Sequence, residues 1–224
     1  MHQRWERLLF VHWRISLEAA QQTLPPGLTV DTYEGEALIG ITPFFMRNVR
    51  PVGVPAIPWL SEFQELNVRI YVYDRNGVPG IWFYSLDCDQ PLAVAAARAL
   101  TGLPYCNAEM SATIGDFIEY SSRRQDTTEA ARYRYRGVGE AREADPNSLE
   151  FFLLERYYLY AVRGGSLLRA QVSHAPYRYR AAEVERCSAL PARLDGFDEL
   201  PDTPMHTCFV DGFDVKVYGT QALS

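Results

Sequence analysis

Apolar and polar residues alternate with a period of two over much of the chain, the spacing of strands with one buried face. Strands are predicted over residues 8–15, 29–33, 37–45, 65–73, 80–86, 107–113, 117–121, 133–135, 157–162 and 167–174, with two more short strands around Asp211-Gly212. Turn chemistry separates them: Glu34-Gly35-Glu36 predicts a hairpin joining 29–33 to 37–45, and Arg163-Gly164-Gly165-Ser166 predicts another. The residues Asp74 to Gly77 form a turn cluster between the strong runs 65–73 and 80–86.

Three short segments break the period toward helix. Ser16 is a candidate N-cap for 17–23, which Pro25-Pro26-Gly27 ends. PLAVAAARAL (91–100) starts on proline and is closed by Gly102 and Pro104, and Asp145-Pro146-Asn147 precedes a helix over 148–155. Residues 49–58 hold three prolines and a glycine and predict a loop over the surface or over a pocket mouth. No repeat or linker interrupts the pattern, so residues 1–224 are expected to form one domain. Many short strands with a few short helices mean a β-barrel, a β-sandwich or an α+β fold.

Composition narrows the function classes. A hydrophobic content of 47% and an aromatic content of 13% describe a well-packed globular chain. A net charge of −6 weighs against nucleic acid or an anionic membrane as partner, while homo-oligomerisation stays open. The N-terminal run MHQRWERLLFVHW is interrupted by His12 and lacks a signal-peptide pattern, and no apolar run approaches the roughly 18 residues of a membrane span. Cys88, Cys106, Cys187 and Cys208 are scattered, with no C-x-x-C, which fits reduced thiols and a cytoplasmic location.

The candidate chemistry sits on the strands. Glu65, Asn67 and Arg69 share one face of their strand, opposite Leu66, Val68 and Ile70. That pattern describes a solvent-facing strand or, in a closed barrel, a carboxylate, an amide and a guanidinium aimed at an interior, where the guanidinium would pair with an anion. Ser85, Asp87 and Asp89 also alternate. No histidine lies beside them to complete a metal site, so they predict a strand end with Asp89 near a helix N-terminus. In Arg132-Tyr133-Arg134-Tyr135-Arg136 and Tyr177-Arg178-Tyr179-Arg180, alternation sorts arginines to a solvated face and tyrosines to a buried one. A nucleic-acid surface is the less economical reading. His174, before Ala175-Pro176-Tyr177, is a candidate ligand contact against the alternative of a structural histidine. No P-loop, G-x-S-x-G or H-E-x-x-H motif is present, and Gly137-Val138-Gly139 reads as a turn. Neither a cofactor nor a metal is expected.

The phrases FQELNVRIYV (63–72), GIWFYSLDCDQPLAVAAARALTGLPY (80–105), YSSRR (120–124), LERYYLY (154–160) and VSHAPY (172–177), in that order, resemble the YqjF-like family of uncharacterised bacterial proteins. That family belongs to the acetoacetate-decarboxylase-like superfamily. The resemblance implies an α+β, mostly β fold: a curved antiparallel sheet closing into a cone-like barrel around a polar cavity, with a few short helices. It also implies that Phe63-Gln64-Glu65 is the aromatic-x-Glu that supplies a cavity carboxylate. Arg98, Gly102 and Pro104 resemble the residues before the decarboxylase's adjacent lysine pair. In this chain Tyr105 and Cys106 stand where those lysines would be, and neither can form an imine.

The expected function is therefore binding of a small carboxylate or other anionic metabolite without a Schiff-base lysine. Asn67, Arg69, Arg98, Tyr105 and His174 would be the ligand contacts, with Arg98 either reaching a carboxylate (Glu65 or the ligand) from the helix or laying its stem over the alanines with its head in water. An alternative is a lysine-independent lyase, isomerase or hydrolase-like enzyme using Glu65 as acid or base in enol chemistry. Another is a structural protein whose cavity is filled by tyrosines. Lys216 is the only lysine, and alternation places it with Asp214 and Tyr218, away from Phe213, Val215 and Val217, on an expected outer face. Borohydride is accordingly expected to trap no adduct with acetoacetate. Mass-spectrometric detection of a reduced adduct on Lys216 would contradict this reading.

Overall fold

The computed structural model describes residues 1–53, 55–56 and 58–223. In chain order the elements are β1 (His2–Ile15), α1 (Leu17–Gln22), β2 (Leu28–Val30), β3 (Ala37–Arg50), α2 (Pro58–Ser61), β4 (Phe63–Asp74), β5 (Pro79–Cys88), α3 (Pro91–Thr101) and β6 (Tyr105–Ile114). They continue as β7 (Ile118–Arg124), β8 (Ala131–Glu143), α4 (Leu149–Leu154), β9 (Tyr158–Arg163), β10 (Ser166–Ser173), β11 (Arg178–Arg186), α5 (Leu190–Leu194) and β12 (His206–Ala222). The fold is α+β and mostly β, as expected.

The strands form one sheet that closes on itself. One circuit runs β12–β1–β3–β4–β5–β9–β10 and returns through the β10–β12 pairing. A second leaves β5 through β6, β7, β8 and β11 and also returns to β12. Strands β1, β3 and β4 belong to both circuits and form a shared wall. A wall packed on both faces needs apolar residues at nearly every position, and β3 is buried without a break from Ala37 to Met46.

Each side of the wall has its own core. On one side Leu66, Val68 and Ile70 join Leu9, Val11, Ile39, Ile41, Tyr120, Tyr133, Tyr135 and Phe209. On the other, Phe63 and Tyr71 join Leu8, Phe10, Phe44, Cys88 and Tyr177. Leu66, Val68 and Ile70 thus share one core with Ala20 of α1, Ala192 of α5 and the tyrosines of the second circuit. The arginine–tyrosine strands sort as alternation predicts. Tyr133 and Tyr135 are buried, while Arg134 bonds Glu119 and Glu185 and Arg136 bonds Asp116 and Glu183 outside.

Several local expectations are corrected. Residues 29–33 and 37–45 do not form a hairpin ladder. Glu34 and Gly35 take positive φ (51° and 84°), but only the Tyr33–Glu36 bridge forms, because β2 pairs with β4 instead. The tail is one long strand, with Gly212 at φ 151°, a conformation that favours glycine, and a Cβ there would lie 2.7 Å from the Trp5 carbonyl oxygen. Gly137-Val138-Gly139 is a stretch of β8 with a bulge at Gly139 (φ 75°) and not a turn. The proline-rich stretch opens inside β3 and ends in α2, with Val54 and Ile57 outside the described residues.

Ser85 and Asp87, read from sequence as an ordinary strand end, anchor a buried ionic knot. Arg124 of β7 donates through Nε to Asp87 (2.6 Å), through Nη1 to Asp195 after α5 (2.8 Å) and through Nη2 to Ser85 (2.5 Å). Ser122 also donates to Asp87 (2.9 Å). Both carboxylates and the guanidinium are about nine-tenths buried or more, so removing the cation leaves two like charges facing each other out of water. Arg124→Ala is expected to lower stability by roughly 3–5 kcal/mol in urea denaturation. A loss within about 1 kcal/mol, the range of an exposed ion pair, would contradict the knot's role.

Candidate functional site

On β4 the side chains of Phe63, Glu65, Asn67, Arg69 and Tyr71 share one face, and that face belongs to the interior of the first circuit. Glu65, Asn67 and Arg69 are 4%, 5% and 5% exposed, so the polar face is buried and does not meet solvent. Across β3 they stand opposite Phe44, Thr42 and Gly40. Across β5 Glu65 and Asn67 face Cys88 and Leu86, and after a bulge Arg69 faces Phe83. The row therefore has an acid at one end and a base at the other, between walls of aromatic and aliphatic side chains.

The acid end is defined by burial and one hydrogen bond. Burial pushes the Glu65 carboxyl up to about 8, against the pull of the Tyr105 hydroxyl, which donates to Oε2 at 3.0 Å. Tyr105 arrives there because β6 pairs in parallel with β5, Leu86 opposite Tyr105. The Tyr120 hydroxyl crosses from the second core to bond the carbonyls of Phe44 (3.1 Å) and Glu65 (2.9 Å), fixing the backbone at this end.

The base end is different. The Arg69 guanidinium lies 4.9 Å from the Phe10 ring centroid and 5.9 Å from that of Tyr71, and its Nε has no hydrogen-bond partner. Among the described residues no carboxylate lies within ion-pair distance of it. The other buried guanidiniums are paired: Arg124 with Asp87 and Asp195, and Arg156 with Asp31 at 2.6 Å. Beside Arg69, Asn67 Oδ1 and Thr42 Oγ1 are also buried without a partner. Three adjacent orphaned polar atoms on facing strands are unusual, since each costs roughly 1–3 kcal/mol when left unsatisfied.

Of the residues singled out from sequence, the structure gathers Glu65, Asn67, Arg69 and Tyr105. Arg98 is exposed on α3, and its Nε donates to the Tyr105 carbonyl (2.6 Å) without reaching Glu65, which is the second of the two arrangements expected for it. Its long side chain follows the helix surface into water, as small neighbouring alanines permit. His174 lies one aromatic layer from the row. It stacks on Tyr157 and meets Tyr177, which in turn touches Phe10. Lys216 is exposed, as expected. Thr42, Phe10, Tyr71 and His12 were not singled out. Tyr71 continues the row by the same period of two, and its hydroxyl meets His12 Nε2 at 2.8 Å. Two surface clefts, one beside Glu150 and His206 and one between β6, β7 and β8, are both lined by other residues than the row.

Known proteins share this architecture. The enduracididine biosynthesis enzyme MppR, in its complex with pyruvate, superposes with a TM-score of 0.68 at 16% identity, over 100% of this chain and 90% of that one. Acetoacetate decarboxylase from Legionella pneumophila gives 0.63 at 12% identity over 100% and 87%. An acetoacetate decarboxylase-like enzyme from Sphingomonas wittichii RW1 gives 0.65 at 15% over 100% and 92%. At such identities the likeness concerns the fold, which is that of acetoacetate decarboxylase. In sequence, the uncharacterized protein YqjF of Bacillus subtilis (strain 168) is 40% identical over 187 residues, 83% of this chain and 77% of that protein. Residues 2–214 match DUF2071, a family of uncharacterized conserved proteins, and the chain belongs to that family.

Proposed function

We propose that this protein binds a small carboxylate in the row formed by Glu65, Asn67, Arg69 and Thr42, without forming an imine. The observation that carries the reading is the Arg69 guanidinium, buried with no carboxylate opposite it. A ligand carboxylate would supply the missing charge and accept its hydrogen bonds. Asn67 Oδ1 accepts only, so the favoured ligand also carries an O–H, as a hydroxy acid or an enol does. With Glu65 raised to about 8, the carboxyl is mostly neutral at pH 7 and the row carries the net positive charge of Arg69. Neither of the two clefts described above opens on the row.

Unpartnered atoms of Thr42, Asn67 and Arg69 at neighbouring positions of β3 and β4 support a ligand site over a purely structural interior, since well-packed cores satisfy most of their polar groups. A second reading, enol chemistry with Glu65 as acid or base, draws on its displaced pKa and its contact with Tyr105.

The hydroxy acid lactate, which carries that O–H, is the probe of choice, and pyruvate, bound in the MppR complex, is the keto-acid comparison. At about 100 times its Kd either would add about 2.7 kcal/mol of stability. Arg69→Met, which replaces an unpaired buried charge by an apolar chain of similar length, is expected to leave the free protein as stable as wild type or more so, and to abolish the ligand-induced thermal shift. An Arg69→Met protein that is strongly destabilised, from a wild type that responds to no carboxylate, would refute the binding role.

Glu65 gives a separate signature. Its folded pKa lies above the ordinary 4.5, so the folded state keeps a proton that the unfolded chain releases. The resulting stabilisation is complete below about 4.5 and is lost as pH rises through about 8. Over that window the wild type should lose on the order of a few kcal/mol that Glu65→Gln retains. Parallel stability–pH curves for the two proteins would show that the carboxyl titrates normally.

A further inference from the structure

At the Arg69 end of the row a chain of hydrogen-bonding groups leads out of the interior. The Tyr71 hydroxyl lies 2.8 Å from His12 Nε2, and His12 Nδ1 lies 3.1 Å from His206 Nδ1. His206 Nε2 faces Glu150 at 3.9 Å and lines an open surface cleft shared with Arg142, Tyr179 and Arg180. Tyr71 and His12 are wholly buried, so this chain spans from a dry interior to water.

The backbone makes room for it. Tyr71 is on β4 and His12 on β1, with β3 between them, so their side chains meet only by crossing over β3. The residue they cross is Gly40, paired with both His12 and Arg69. A Cβ there would lie 2.9 Å from His12 Cδ2 and 3.1 Å from Nε2, too close for the ring to stay. Gly40 is thus the gap through which the two groups touch.

We propose that Tyr71, His12 and His206 carry protons between the Arg69 end of the polar row and the surface cleft beside Glu150. A proton reaching the Tyr71 oxygen displaces the hydroxyl proton onto His12 Nε2. His12 then passes its Nδ1 proton to His206 Nδ1, and His206 releases its Nε2 proton to the cleft. One proton enters and one leaves, both rings change tautomer, and the reverse order carries a proton back. Such transfer needs each ring neutral, with one N–H and one lone pair. Burial, then His206 and Arg69, hold His12 well below its usual range, and burial lowers His206 against the pull of Glu150. The remaining charges facing the chain are Arg156 over the Tyr71 ring, and Arg142, Arg180 and Glu140 around the cleft. The path would let a ligand bound at Arg69 gain or lose a proton without opening the interior. That use rests on the binding reading above, whereas the path itself does not.

The test therefore needs no ligand. In the full-length protein labelled with nitrogen-15 histidine, a scalar coupling is expected across the hydrogen bond between the two Nδ1 atoms, and its absence would overturn the proposal. Exchange of the His12 ring proton with water is expected to slow by about ten-fold or more in His206→Leu. Exchange at the wild-type rate in that variant would equally overturn it. The coupling is read on the wild type, so the proposal stays falsifiable even where His206→Leu fails to fold. Both readouts are independent of whether pyruvate or lactate binds.

Discussion

Burying a guanidinium is among the costlier things a β-sheet can do, and among the described residues Arg69, Arg124 and Arg156 do so under different terms. Arg124 and Arg156 each meet a carboxylate, and in both cases the pair ties distant segments together. Arg69 has aromatic faces and orphaned polar neighbours instead. Its charge is tolerated because β4 is held on both sides and cannot turn to expose it. Rotating or slipping the strand by one residue would drive Glu65, Asn67 and Arg69 into the core occupied by Leu66, Val68 and Ile70. The apolar half of β4 thus holds the polar half in place.

That arrangement follows from how the sheet closes. Because β1, β3 and β4 belong to two circuits, the middle of the wall (residues 8–13, 37–46 and 65–72) is buried on both faces, and the polar residues within it are interior. The tyrosines complete the division: those of β7 and β8 fill the second core, and Tyr120 sends its hydroxyl through to the backbone of the polar row. Tyr105 occupies the acid end as a hydrogen-bond donor to Glu65. The fold of acetoacetate decarboxylase here carries an acid and an unpaired cation, while its single lysine, Lys216, stands outside.

The strict alternation from Glu65 to Ile70 was legible in the sequence, and with the phrase resemblance it placed Glu65 and Tyr105 in one site. Sequence alone leaves open whether such a strand faces water, since the answer depends on β3 and β5 covering it through long-range pairings. Arg98 was open in the sequence between reaching a carboxylate and lying over the alanines with its head in water, because the helix pattern does not say which face is covered; the face carrying Arg98 is turned outward. Asp195 could not be connected to Arg124 and Ser85, because those contacts cross 71 and 110 residues. His12 left a trace, the one polar residue in LLFVHW, yet its partners Tyr71 and His206 lie on other strands. The failed hairpin at Glu34-Gly35 has the same origin, for turn chemistry was read correctly and strand partnership was not.

The unpaired cation is tested most directly by a crystal structure of the protein grown with pyruvate or lactate near neutral pH. The account predicts electron density for the ligand between β3 and β4, its carboxylate within hydrogen-bonding distance of Arg69 and its oxygen substituent beside Asn67 and Thr42. An interior holding only protein side chains, with Arg69 paired to a carboxylate of its own chain, would contradict it.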